Sequence, residues 1–246
     1  MSKLSEQMRR ASRAESRPVG FTAVATAPQP TMLVVAEAGV DDAAKVAKNA
    51  DALLLPEGAS DAAVRAAAAA GVPVGVRLAK GDRAQVAALR GAGVDFILLT
   101  EEASASALMD EEVSFILDVP REPTETDLRA LDSLPLEAVL APPIDAALTI
   151  RHSIGLRRYV AFARKPLMLP VAGDIDAADL EALRELNVVL LLAPASAAAA
   201  LREKVTGLPP RRRRRTERSV GVPSFILGNS HVDELDKDDD DHDHDE

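Results

Sequence analysis

Three charged residues, Glu37, Arg77 and Asp118, each stand at or near the end of a short apolar run: MLVVAE, PVGVRL and VSFILDV. A guanidinium can bind an organic anion through its fork of N–H donors, and a carboxylate beside it can carry a proton to or from the bound molecule. The same residues can instead pair with one another as a structural plug, and both readings stand. Asp174, just after the run PLMLPVAG, is an acid in a comparable place. Lys80 lies past the Arg77 run, where an amine can serve Schiff-base chemistry or simply be solvated. His152, in TIRHSIGLRRYV, reads as a base or as a surface helix residue. Glu57, Thr100, Glu101, Arg121 and Asp145 lie near other run ends, where rim polarity accounts for them.

Other chemistries drop out. The chain has no Cys, which excludes disulfides, thiolate metal sites, Fe–S clusters and cysteine nucleophiles. Apart from His152 the histidines are His231, His242 and His244, so no internal metal triad can be built. There is no serine nucleophile elbow and no P-loop, and no motif specifies a cofactor. With five Phe, one Tyr and no Trp, stacking surfaces for bases are scarce, and nucleic acid is not an expected partner.

The polar candidates must be positioned by the runs they follow. Eight recur: MLVVAE, ALLLPE, PVGVRL, VDFILLT, VSFILDV, LEAVLAP, PLMLPVAG and NVVLLLAP. Near-continuous apolar runs of this length are expected of strands covered on both faces. Between them lie Ala-rich charged segments such as SDAAVRAAAAAG and DRAQVAALRGAG, opening on a capping Ser or Asp and ending at Gly. Strand then helix, eight times, is the pattern of a compact (β/α)8 TIM barrel over 31–207. An open doubly wound sheet is the competing architecture. A leucine-rich repeat has a similar period, but its signature is missing. In a barrel, alternate strands contribute to one layer, and the polar ends of the odd strands are Glu37, Arg77, Asp118 and Asp174. Arg77 shares its phase with Gly75, and Asp118 with Ser114, which predicts that both point inward and face one another.

Roughly residues 166–200, opening with PLMLPVAGDIDAADLEALRELNVVLLLAP, are similar to the seventh and eighth βα units of the phosphate-binding barrel group. Indole-glycerol-phosphate synthase, thiamine-phosphate synthase and the nitronate monooxygenases belong to that group. The resemblance implies an anion site around Gly173 and the helix start at Asp176. There are two departures from the pattern. Asp174 stands where a second Gly belongs, and Ala193-Pro194 replaces the small-residue turn after the eighth strand. A carboxylate repels a phosphate and a proline lacks an N–H donor, so phosphate affinity is expected to be millimolar or poorer.

The formal net charge is −10. Residues 233–246 hold ten acids and one lysine, which accounts for −9 of it and leaves the preceding chain nearly neutral. Residues 1–30 read as a basic helix and linker; residues 208–232 and the acidic tail 233–246 form a charged appendage, its tail disordered. Arg211–Arg215 can meet a partner or the tail itself. The Asp–His tail reads as solubilising or as a weak divalent chelator. Phe225, Ile226 and Leu227, within 219–229, form an apolar patch suited to docking on the chain's own barrel, on a second copy of the chain or on a protein partner. No run reaches the roughly 20 apolar residues of a membrane span, and the N-terminus lacks a signal-like run, so the expected location is cytoplasmic.

Two functions follow. One is a non-catalytic barrel acting as a binding or assembly module through its appendage, a pseudoenzyme. The other is an enzyme of the lyase, isomerase or flavin type on a small phosphorylated or carboxylated metabolite.

Overall fold

A computed structural model of the chain describes residues 2–13, 31–39, 42–120, 122–144 and 147–209. Eight parallel strands pair in sequence order and close on themselves: β1 (Leu33–Glu37), β2 (Ala52–Leu55), β3 (Val74–Leu78), β4 (Phe96–Thr100), β5 (Ser114–Asp118), β6 (Ala138–Leu140), β7 (Leu167–Pro170) and β8 (Val188–Pro194). Closure is made by β8 on β1, in register from Leu33↔Leu190 to Glu37↔Pro194. The fold is the (β/α)8 barrel, not an open sheet.

Helix α1 (Lys3–Arg13) precedes the barrel. The others are α2 (Ala43–Val46), α3 (Asp61–Ala68), α4 (Arg83–Ala92), α5 (Glu125–Asp132), α6 (Ile150–Ala163), α7 (Ala177–Glu185) and α8 (Ala195–Thr206). Their starts are dictated locally. Ser60, Asp82, Thr124, Thr149 and Asp176 each accept a first-turn N–H, which stops the chain from extending the preceding loop. Two links differ from the regular strand–helix pattern. A single 3-10 turn, Ala105–Met109, joins β4 to β5, and α2 runs straight into another at Ala47–Asn49. Both connections are too short for a full helix and its two loops.

The strands are buried on both faces for two separate reasons. Val34, Leu53, Val76, Ile97 and Leu117 point outward and pack under Val64, Val86, Leu128, Leu180 and Leu201 of the helices. Val35, Leu54, Leu98, Ile116, Leu140, Met168 and Leu192 point inward and fill the barrel. Interior space is tight: a Cβ at Gly75 would lie 2.2 Å from the Phe96 ring, so glycine on β3 makes room for the aromatic on β4.

Helix α1 closes the floor. Leu4, Met8 and Ala11 recur at helical spacing, are buried, and join the interior cluster. The start of the helix is fixed by acids from strand beginnings. The Lys3 and Leu4 N–H groups donate to the Asp95 carboxylate at 2.7 and 2.8 Å, and the Ser5 hydroxyl donates to Glu137 at 3.0 Å. The hydroxyls of Ser2 and Ser114 meet inside. Residues 210–246, with Arg211–Arg215, Phe225, Ile226, Leu227 and the acidic tail, lie outside the described residues, as do Arg121 and Asp145.

An anion that accepts two free amides of a helix start is worth about 1–2 kcal/mol when removed. Asp95→Ala should lower stability by about that amount in urea denaturation at neutral pH. A change within experimental error would mean that the apolar face of α1 alone holds the floor.

Candidate active site at the barrel mouth

Glu37 and Asp118 end β1 and β5, and Arg77 is the penultimate residue of β3. Each lies two residues beyond an inward position: Val35, Gly75 or Ile116. Period-two alternation therefore sends all three side chains into the upper barrel. Arg77 Nη2 donates to Glu37 Oε1 at 3.0 Å, and Arg77 Nη1 lies 3.7 Å from Asp118 Oδ2. The three side chains are between 35% and 48% exposed, so solvent screens the pairs and they add less than about 1 kcal/mol to stability. Their effect is positional: the guanidinium is held between the two carboxylates at the mouth.

The triad opens into a cavity of about 580 Å³ walled by Leu140, Pro142, Pro143, Ile144, Pro170, Leu192 and Pro194. Burial among these apolar groups raises the pKa of Asp118 above the ordinary aspartate value, with Arg77 opposing in the other direction. A carboxyl whose ionised form is disfavoured, beside a fixed cation, is suited to passing a proton.

The other sequence candidates fall elsewhere. β7 ends at Pro170, so that proline, not Asp174, stands at its mouth end, and Asp174 is exposed in the following loop. Asp176 spends its carboxylate on the Asp179 N–H at 2.7 Å, capping α7. Gly173 packs against α8, where a Cβ would come within 2.6 Å of the Ala197 methyl. Lys204 Nζ ties the same loop down through the carbonyls of Gly173 and Ile175 at 3.2 and 2.7 Å. Neither Gly173 nor Asp176 lines the mouth cavity. Glu57 and Thr100 bind the backbone of Ala79 from two sides, which steadies the loop after β3. Lys80 and Glu101 are exposed and outside the cavity lining. His152 is part of the α6 cap: its Nδ1 accepts from the Thr149 N–H at 3.2 Å.

Tyr159 carries no obvious signal in sequence, and Pro194 reads there only as a departure from the phosphate-binding pattern. Pro194 lines the cavity and is immediately followed by α8, whose first turn has no side-chain cap, so the positive end of that helix adjoins the mouth. Tyr159 of α6 donates to the Pro120 carbonyl at 3.2 Å, and its phenol is pushed up to about 12, chiefly by burial, with Arg158 lowering and Asp118 raising it. Among the described residues no cluster of His, Asp or Glu is arranged to hold a metal ion, and no helix is long and apolar enough to cross a membrane.

The barrel is a known architecture. It is similar to orotidine 5'-phosphate decarboxylase from Pyrococcus horikoshii OT3, at a TM-score of 0.57 and 14% identity over 72% of this chain and 100% of that one. KGPDC from Streptococcus mutans matches at 0.57 and 9% identity over 70% and 95%. Tryptophan synthase from M. tuberculosis matches at 0.60 and 12% over 83% and 99%. At such identities the likeness is one of fold. No protein-family model matches the sequence, and no curated protein matches it significantly.

Two titration results should follow. In carbon-detected NMR the Asp118 carboxyl should titrate above an ordinary aspartate, and Arg77→Gln should move it further up by removing the opposing charge. For stability the sign is also fixed. A folded-state pKa raised above the unfolded value makes the ionised form a cost, fully present above the folded pKa and absent below the unfolded one. Asp118→Asn should therefore gain on the wild type at neutral pH and lose that advantage in acid. A downward shift of the Asp118 titration would show that Arg77 outweighs burial.

Proposed function

We propose that the chain is a small-metabolite enzyme of the isomerase or lyase type, acting on a compact organic anion at the barrel mouth. The observation that carries this reading is Arg77, held 3.0 Å from Glu37 and 3.7 Å from Asp118 over a cavity of about 580 Å³. In this scheme Glu37 orients the guanidinium, Arg77 and the open start of α8 receive the substrate's carboxylate or phosphate, and Asp118 moves a proton on the adjoining carbon or oxygen. Fold analogy lends support of a general kind, since orotidine 5'-phosphate decarboxylase is named for a phosphorylated substrate. The competing role, assembly through residues 219–229, draws on residues outside those described.

Charge makes the binding step dependent on protons. With both acids ionised the triad sums to −1, and protonating Asp118 brings it to zero. An incoming anion thus favours the protonated form, and its binding takes up a proton. Such coupling leaves Asp118 loaded as the acid when substrate arrives: it gives its proton to the substrate oxygen, while Glu37, beside Arg77, takes the proton from the adjoining carbon.

The test is a panel of sugar phosphates and hydroxycarboxylates incubated with the full chain in D2O and followed by NMR. At least one member should exchange a carbon-bound proton for deuterium. Its affinity should rise as pH falls through the Asp118 titration. Arg77→Gln should weaken binding at least about tenfold, a loss of about 1.4 kcal/mol, while Asp118→Asn should abolish exchange with binding retained. Binding indifferent to Arg77, or exchange that survives Asp118→Asn, would remove the proposal.

A further inference from the structure

A second cavity, of about 530 Å³, lies outside the barrel wall between α5 and α6. Its chemistry is the reverse of the mouth's. Arg151 and Arg158, two turns apart on α6, both line it, and among its lining residues Glu122 is the acid that stands against these two guanidiniums. Both guanidiniums are exposed, and among the described residues neither makes a salt bridge, as is true also of Arg65, Arg83 and Arg157. His152 adds a further donor. Its Nδ1 accepts from the Thr149 N–H, which places the proton of the neutral ring on Nε2. Apart from Thr124 and Tyr159 the rest of the wall is apolar, with Leu128, Leu156, Pro142, Pro143 and Ile144 prominent.

Gly155 is the feature that packing does not explain. It lies inside the fourteen-residue helix α6, where glycine is less favourable than alanine. It has no left-handed backbone angle, and a Cβ built there would meet nothing within 4 Å. The missing side chain leaves room in the cavity, between the two arginines in sequence and along the same wall. A residue that costs helix stability, relieves no clash and keeps a cationic cavity open points to an occupant.

We infer that the cavity between α5 and α6 is a binding site for an amphiphilic organic anion, a carboxylate or phosphate group on a compact apolar body. The anionic group is held by Arg151 and Arg158, and the body lies over Gly155 against Leu128, Leu156 and the 142–144 segment. The site is separate from the barrel mouth and independent of the activity proposed there, because neither arginine lines the mouth cavity and none of Glu37, Arg77 and Asp118 lines this one.

Benzoate and phenyl phosphate, with benzyl alcohol as the uncharged control, are the probes, and saturation-transfer NMR on the full chain is the measurement. At least one of the anions should bind in the submillimolar range and the alcohol should not; which anion binds decides between carboxylate and phosphate. The double variant Arg151→Gln/Arg158→Gln should weaken the binding at least tenfold. Gly155→Leu, which fills the cavity from within the helix, should do the same with an unchanged or higher melting temperature. Arg77→Gln should leave the probe in place. The inference is overturned if neither anion binds at millimolar concentration, if the alcohol binds as well as they do, or if both α6 variants bind like the wild type. Loss of binding in Arg77→Gln alone would move the probe to the mouth and overturn it equally.

Discussion

Closing eight parallel strands into a ring sends every second side chain into a volume that water does not fill, and the rest of this molecule follows from that. The inward residues must be apolar, and small where a neighbour is large, as Gly75 is beside Phe96. Only at the two ends can a polar group be admitted. At the floor the ring is sealed by α1, and the acids that begin β4 and β6, Asp95 and Glu137, are used to fasten it. At the mouth the same alternation brings Glu37, Arg77 and Asp118 together on the wall of a cavity. One rule of strand geometry thus produces an anchored end and an end that gathers charged side chains.

The mouth is not built as a ready-made phosphate cradle. In the loop after β7, Gly173 lies against Ala197 and Lys204 is committed to backbone carbonyls, so a nearby cation and a glycine serve the packing of α8 on that loop. What remains for an anion is Arg77 and the uncapped start of α8, and two carboxylates already claim part of the guanidinium. Coulomb attraction at such a triad depends on the state of Asp118, whose burial disfavours its charge. In the proposed scheme, anion binding and protonation of Asp118 are therefore coupled.

Much of this is legible in the chain because burial on both faces leaves an apolar run that needs no alternation to be seen. The eight runs correspond to the eight strands, and the shared phase of Arg77 with Gly75 and of Asp118 with Ser114 is the phase observed along β3 and β5. Strand ends are harder. Nothing in PLMLPVAGD marks Pro170 as the last paired residue, so Asp174 reads as part of a layer from which it is four residues removed. The 3-10 link between β4 and β5 is likewise hidden, since ASALM has helical composition and only the length of the connection excludes a helix. The cavity beside α6 has no sequence signal, because it is made by segments far apart in the chain: Glu122 to Leu128, Pro142 to Ile144, and one face of α6.

Those segments also set the relation between the two cavities. Pro142, Pro143 and Ile144 line both, so a single stretch of chain divides a mouth with one cation and two acids from a side cavity with two cations and one acid. Two consecutive prolines have fixed φ and no N–H to donate, so the partition is stiff and seals by shape instead of by hydrogen bonding. If both cavities hold organic anions as proposed, charge sorts a shared ligand between them: protonating Asp118 takes the mouth from −1 to zero, while the side cavity, with two arginines and one glutamate, keeps its positive sum, so that proton raises affinity at the mouth alone.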